Sequence, residues 1–344
     1  MNKVIDILSN MKSSDLHPEH KDDDVLIIDG TNMFIRCFAA NPSQNDEGEL
    51  VGGTVGFLYS LGSSIRLIKP TRVVIVFDGR GGSQRRKKIF SGYKQGRAFK
   101  SKLRRDDGIS DLIDEDESLK RQFARLIDYL ETLPVTVITI DSIEADDVIA
   151  YMTKFYFKNK VSIVSTDKDF LQLINDRISV YSPIKKIYYD LETFFKSFGI
   201  YPHNYIFMKC ILGDVSDGIP GIKGVGIKTI LSKMDFLLND NKLTFDEFIT
   251  EIKNIQDTKS SYYKKLMDGI DDLERNYKLM QLDDVSISGD KKSVISDILN
   301  MDINSLDIME FYSMCKMDLL SSVIRYPTRW LQENFNTLEI FRKK

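Results

Sequence analysis

Four short apolar runs, each of the kind shown by a strand buried on both faces, lead directly into acidic residues. Val25–Ile28 runs into Asp29-Gly30, Arg72–Phe77 into Asp78-Gly79, and Val161–Ser165 into Thr166-Asp167-Lys168-Asp169. Val135–Ile140 is followed by Asp141 and then by Glu144-Ala145-Asp146-Asp147 at the head of a helical stretch. Helical patterns, such as Gly52–Ile68, lie between the runs. Alternating strands and helices predict an α/β fold, with a mostly parallel central sheet and helices on both faces. In such a sheet the strand C-termini share one edge, and ligands bind there. The acids therefore converge, although Asp29 and Asp169 are more than a hundred positions apart.

Asp214 and Asp217, three residues apart, can face the same way from a helix or a tight turn. With Asp29, Asp78, Glu144, Asp146, Asp167 and Asp169 they make eight candidate metal-ligating carboxylates. Two unit charges at ~4 Å repel by roughly 4 kcal/mol at an effective dielectric near ~20, and divalent cations offset that cost. All-oxygen sites suit Mg²⁺ or Mn²⁺, and a pair of such ions serves phosphoryl displacement. Taken singly, each acid has a plainer reading. A lone Asp after a strand is usually a turn residue, and Asp214 with Asp217 fits a solvated turn. Asp141 with Glu144 fits a capping box. The joint pattern, every buried-type strand of the first half ending in acid, is what departs from these.

Composition narrows the chemistry further. The 344 residues are 42% hydrophobic, enough for a full core in one large domain or two modest ones. Three histidines, His17, His20 and His203, leave no raw material for HExxH, a His-rich zinc site or a Ser-His-Asp triad. Cys37, Cys210 and Cys315 exclude a disulfide framework and a Cys₄ zinc site, and a reducing cytoplasm is expected. No apolar run approaches the ~20 residues that span a bilayer, and the N-terminus is too short and acidic for a secretory signal.

The net charge of −3 excludes a uniformly basic coat, yet the charges are segregated. From Arg80 to Arg105 there are eleven Lys or Arg and no acid; from Asp106 to Glu117 there are seven acids and no base. A mobile excursion from the sheet is expected here. Its cations suit phosphates, and Tyr93 beside Lys94 and Arg97, flanked by Phe90 and Phe99, suits a splayed base. Glycines then cluster in Gly213–Thr229, where backbone N–H groups ahead of a helix can approach a phosphate and Lys223 and Lys228 add charge. A ligand-free helix connection is the plainer reading. Gly221 and Gly226 have P-loop spacing, but Ile227 stands where the lysine belongs, so an NTPase is rejected.

In order, Leu26-Ile27-Ile28-Asp29-Gly30, Gly48-Glu49, Gly56-Phe57, Lys69-Pro70-Thr71, Val76-Phe77-Asp78, Tyr93-Lys94 with Arg97, Glu144-Ala145-Asp146-Asp147, Ser165–Asp169 and Gly213–Thr229 resemble the 5′-nuclease superfamily. This superfamily includes the 5′-nuclease domain of DNA polymerase I, the flap endonucleases and the bacteriophage 5′→3′ exonucleases of the phage RNase H type. The resemblance covers about Val25 to Leu231. It implies a PIN-like 5′-nuclease fold with a basic helical arch and a helix–three-turn–helix that grips duplex. It implies Asp29, Asp78, Glu144 and Asp146 as ligands of a first metal and Asp167 as shared. Asp169, Asp214 and Asp217 become the set for a second metal, and Asp147 a nearby acid. Lys94 and Arg97 contact the scissile phosphate on this reading. Arg86 and Tyr93 match positions on the nucleic-acid side, as do Gly221, Lys223, Gly224, Gly226 and Lys228 in the glycine turn. The family's Asn after the last ligand is here Gly218, which is expected to loosen a turn.

The resemblance implies a structure-specific 5′→3′ exonuclease and flap endonuclease that removes RNA primers, with two Mg²⁺ (Mn²⁺ substituting) and a K⁺ ion at the glycine turn. DNA with a 5′ flap, nick or 5′ end and RNA–DNA hybrids are the expected partners. A single-stranded-DNA-binding protein or sliding clamp is open, with no membrane and a monomeric state. The expected organisation is an extension over 1–24, a catalytic core over 25–200 with an arch at about 80–117, a helix–three-turn–helix over 201–240 and a helical region over 241–344. No polymerase-like segment follows, so a stand-alone nuclease of phage type, in the host cytoplasm, is expected. A non-catalytic binder of branched DNA and a PIN-like RNase are the alternatives.

Overall fold

The computed structural model describes residues 20–95 and 112–342. Residues 1–19 of the expected extension over 1–24, and residues 96–111 of the expected arch over about 80–117, with Arg97, lie outside the described residues. The first half builds β1 (Asp24–Asp29), α1 (Gly30–Ala40), α2 (Gly52–Ile68), β2 (Arg72–Phe77), α3 (Gln84–Ile89), α4 (Leu112–Glu131), β3 (Thr136–Thr139), α5 (Ala145–Tyr151) and β4 (Lys160–Val164). The chain continues through β5 (Ile178–Ser182), β6 (Ile187–Tyr189), α6 (Leu191–Phe198) and α7 (Pro202–Leu212). A two-strand hairpin, β7 (Gly213–Asp214) and β8 (Ile219–Pro220), leads to α8 (Ile227–Lys233). Six helices follow: α9 (Phe245–Lys253), α10 (Ser261–Asp268), α11 (Ile270–Met280), α12 (Gly289–Asn300), α13 (Ile308–Met317) and α14 (Pro327–Arg342).

The main sheet has the order β3-β2-β1-β4-β5-β6, parallel throughout except for the antiparallel edge strand β6. All four predicted strands are present. β1 sits in the middle because its run is apolar on both faces. Val25 and Ile27 enter one core, and Leu26 and Ile28 the other. β2 does the same with Val74 and Val76 against Val73, Ile75 and Phe77. β5 and β6 were not legible: ISVYS and IYY are short and mix polar with apolar residues, as peripheral strands do.

The helices beyond residue 241 complete both layers. α11 packs on α7 and α3, and α14 packs on α2 and β2. At the opposite edge from the acids, the buried Arg72 guanidinium bonds Asp22 at 2.8 Å and the Leu299 carbonyl at 2.7 Å, tying β2 to α12.

Candidate active site

β1 ends at Asp29, which pairs in register with Val76 of β2, so Asp78 emerges at the same edge. Gly30 is required next to Asp29, since any Cβ there would stand 2.7 Å from the Phe77 ring. Asp29 caps α1, accepting from the Asn32 N–H at 3.1 Å, and takes the Ser165 hydroxyl from the end of β4 at 2.8 Å. Asp78 Oδ1 accepts from the Ala145 N–H at 2.8 Å, capping α5. The capping box expected of Asp141 and Glu144 is not formed: Glu144 is the N-cap residue and makes no side-chain cap bond, because its carboxylate is committed elsewhere.

Asp29, Asp78, Asp146 and Asp167 form one electrostatic group. Burial pushes the Asp29 carboxyl up to about 7, over the lowering by the Asn32 and Ser165 hydrogen bonds, and Asp167 and Asp78 add to the rise. Asp146 is pushed well above the carboxylate range, by burial first and then by Asp167, with Lys94 pulling the other way and Asp29 and Asp78 raising it further. Asp167 Oδ1 accepts from the Asp169 N–H at 2.8 Å, which joins this group to the next.

Asp169 and Asp214 share the ammonium of the buried Lys209, 2.9 Å from Asp214 Oδ2. Burial alone would raise Asp214, but Lys209, Ser216 and the Asp217 N–H outweigh it and hold the carboxyl at about 2. The Asp214 carboxylate closes its own turn, accepting from the Ser216 N–H at 2.8 Å and the Asp217 N–H at 3.2 Å. Lys209 escaped the sequence reading. The signal was there: one lysine in the otherwise apolar run Ile206–Leu212, five residues before Asp214.

The basic segment departs from expectation. As far as Gln95 it is packed against the body of the protein rather than standing away from it. Arg86 and Tyr93 are each 2% exposed, so neither presents a surface to nucleic acid in this arrangement. Arg86 pairs with Glu144, bonds Asp147 at 2.7 Å and donates to the Leu279 carbonyl at 2.8 Å. Asp147, whose partners are Arg85 and Arg86, serves as counter-ion to this segment. Lys94 Nζ lies 2.5 Å from Glu144 Oε1, and the Tyr93 hydroxyl is 3.2 Å from the same oxygen. Burial would raise Glu144, but Arg86 and Lys94 bring it below its usual value. Lys94 adopts left-handed backbone, φ 53°, and its N–H donates to the Asp217 carbonyl at 2.8 Å. Lys94 thus touches Glu144 and the Asp217 backbone and also feels the charge of Asp146.

Gly218 explains its own departure from the family pattern. Its φ of 71° is the region that Gly and Asn enter most readily, and a Cβ would meet the Gly92 carbonyl at 2.9 Å. Glycine here admits the basic segment. Gly221, Lys223, Gly224, Gly226 and Lys228 lie together between β8 and the first turn of α8, with both lysines exposed.

The eight carboxylates are therefore linked at one edge through Lys94, Lys209 and backbone N–H groups. Among the described residues no three His, Cys, Asp or Glu side chains close tightly enough to hold an ion as they stand. The donor set still fits divalent cations. It is all oxygen, and the Asp29, Asp78, Asp146 and Asp167 group repels itself.

A stability signature follows. Asp29 ionises at 3.8 when unfolded and at about 7 in the fold, so the folded chain holds an extra proton between these values. That contribution to stability is full below pH 3.8 and is lost as pH rises through about 7. Thermal melts in EDTA are expected to fall from pH 5 to 7.5, with the fall reduced in Asp29→Asn and by millimolar Mg²⁺. Superimposable pH profiles for wild type and Asp29→Asn would refute it.

A parallel α/β sheet with an acidic C-terminal edge, backed by buried cations and a glycine turn, defines the class: a protein built to handle phosphodiesters. The chain belongs to the 5′-3′ exonuclease family, matching its N-terminal resolvase-like domain over residues 24–199. It is 31% identical over 299 residues to a 5′-3′ exonuclease of Aquifex aeolicus, covering 84% of this chain and 93% of that one. It is also 31% identical over 259 residues to the flap endonuclease Xni of a Shewanella species, covering 75% and 89%. The solved 5′-exonuclease of T5, with bound zinc, shares the fold with a TM-score of 0.63 at 22% identity, covering 80% of this chain and 98% of that one. Among the described residues no helix is long and apolar enough to cross a membrane.

Proposed function

We propose that this chain is a structure-specific 5′ nuclease that cuts DNA at 5′ ends and 5′ flaps, and RNA primers on DNA, leaving 5′-phosphates. What supports this reading is the gathering of acids from separate segments: Asp29, Asp78, Asp146 and Asp167 interact as one group, and Glu144 lies on Lys94. Asp29, Asp78, Glu144 and Asp146 would hold one Mg²⁺, with Asp167 shared and Asp169, Asp214 and Asp217 around a second. Bound ions would supply the charge that activates water and stabilises the attacking and leaving oxygens.

The chain's own residues do the rest. Lys94, which contacts Glu144 and the Asp217 backbone, would pair with the scissile phosphate once Glu144 turns to a cation. Lys209 orients Asp169 and Asp214 and holds Asp214 ionised. Exposed Lys223 and Lys228, with the open backbone at Gly226, offer phosphate contacts that position duplex without reading its sequence.

The test is cleavage of a 5′-flap substrate with Mg²⁺ by wild type and Asp78→Asn. Asparagine keeps the acceptor for the Ala145 N–H, so the fold should stand while one carboxylate charge is lost. Cleavage is expected to disappear with DNA binding largely intact. Wild-type rates in Asp78→Asn would overturn the site, and cleavage of single-stranded RNA in preference to flap DNA would favour a PIN-like RNase.

A further inference from the structure

The hairpin that carries Asp214 and Asp217 is only two residues wide on each side, and its own ladder cannot hold it. Its fixation comes from α11, far along the chain. Asn276 is fully buried, and its amide nitrogen donates to the Cys210 carbonyl at 2.9 Å and to the Pro220 carbonyl at 2.8 Å. Cys210 lies in the last turn of α7, where carbonyls lack intrahelical partners; Pro220 is the returning strand. One side chain thus joins the helix that enters the hairpin to the strand that leaves it. The close crossing of the chain at this point is itself demanding, since a Cβ on Gly221 would stand 2.2 Å from the Leu212 carbonyl.

The amide's orientation is fixed from the other side. Asn276 Oδ1 accepts from Arg275 Nη2 at 2.8 Å, and the Arg275 guanidinium lies 4.9 Å from the centre of the Phe90 ring, in the segment that carries Lys94. We infer that Asn276 is a positioning residue for cleavage, setting the hairpin's two carboxylates and, through Arg275 and Phe90, their spacing from Lys94. The inference rests on the nuclease reading above. Asparagine is specifically suited to this: two N–H donors meet two carbonyls while the oxygen meets a cation. An Asp of the same shape would turn an oxygen on two carbonyls, leaving them buried and unpaired.

The experiment compares full-length wild type, Asn276→Asp and Asn276→Ser. It reads amide hydrogen exchange across the protein, Mn²⁺ binding without DNA by electron paramagnetic resonance, and kcat and KM on 5′-flap DNA with Mg²⁺. In Asn276→Asp, exchange over residues 211–222 is expected to quicken at least ~10-fold while the central strands keep their protection. One Mn²⁺ should bind at least ~5-fold more weakly, and kcat should fall at least ~10-fold with KM within ~2-fold. Asn276→Ser, which keeps a donor, should lie between. If the Asp variant does not fold, the Ser variant decides by the same readouts. Wild-type exchange and Mn²⁺ binding in the folded variants overturn the inference, as does a raised KM with unchanged kcat. A wild type that neither cleaves DNA nor binds Mn²⁺ overturns the nuclease reading itself.

Discussion

Replacing Asp146 with asparagine is expected to move stability and activity in opposite directions. In the metal-free fold this carboxyl stands well above its ordinary range, through burial and then Asp167, so ionising it costs more in the folded chain than in the unfolded one. The neutral amide removes that cost. At pH 8 in EDTA the variant should melt above wild type. With Mg²⁺ the same change removes a proposed ligand charge, and kcat on a flap substrate should fall about 1,000-fold, equivalent to roughly 4 kcal/mol of transition-state stabilisation. Melting curves with and without metal, beside single-turnover rates, check both halves. A variant that is less stable without metal, or that cuts at wild-type rate, contradicts the assignment.

Arg86→Met is expected to damage the fold before it affects nucleic-acid affinity. Arg86 is buried, and its guanidinium meets Glu144, Asp147 and the Leu279 carbonyl. Removing one partner of a buried ion pair costs about 3–5 kcal/mol, because the other charge stays behind. Glu144 keeps Lys94, and Asp147 keeps Arg85, so the lower part of that range applies. Denaturant titration should show the loss directly. If Arg86 were instead a phosphate contact, stability would hold, and DNA affinity would weaken with a salt slope reduced by about 1. That result would put Arg86 on the nucleic-acid side rather than in the interior.

The strands and the acidic edge were legible because both are local signals with a global consequence. An unbroken apolar run such as Leu26-Ile27-Ile28 can be satisfied only between two layers, and a parallel sheet then puts every following acid on one edge. β5 and β6 were not legible, since strands of five and three residues that mix polar with apolar side chains carry too little periodicity to register. The basic segment misled for a related reason. A run of like charge reads as solvated, and nothing local to Arg86 or Tyr93 reports that Glu144 and Asp147 lie in wait some 50–60 positions away.

By itself the sequence determined the layer architecture and the identity of the acids, because hydrophobic patterning and strand direction require no partner to be known in advance. Only the tertiary structure decided how those acids are held. Lys209 lies between Asp169 and Asp214, Arg86 belongs to the interior, and Asn276 on α11 joins the helix that enters the hairpin to the strand that leaves it. Except for Lys209 with Asp214, five positions apart, these are buried polar contacts between distant segments, and burial makes such a contact obligatory while leaving no periodic trace along the chain.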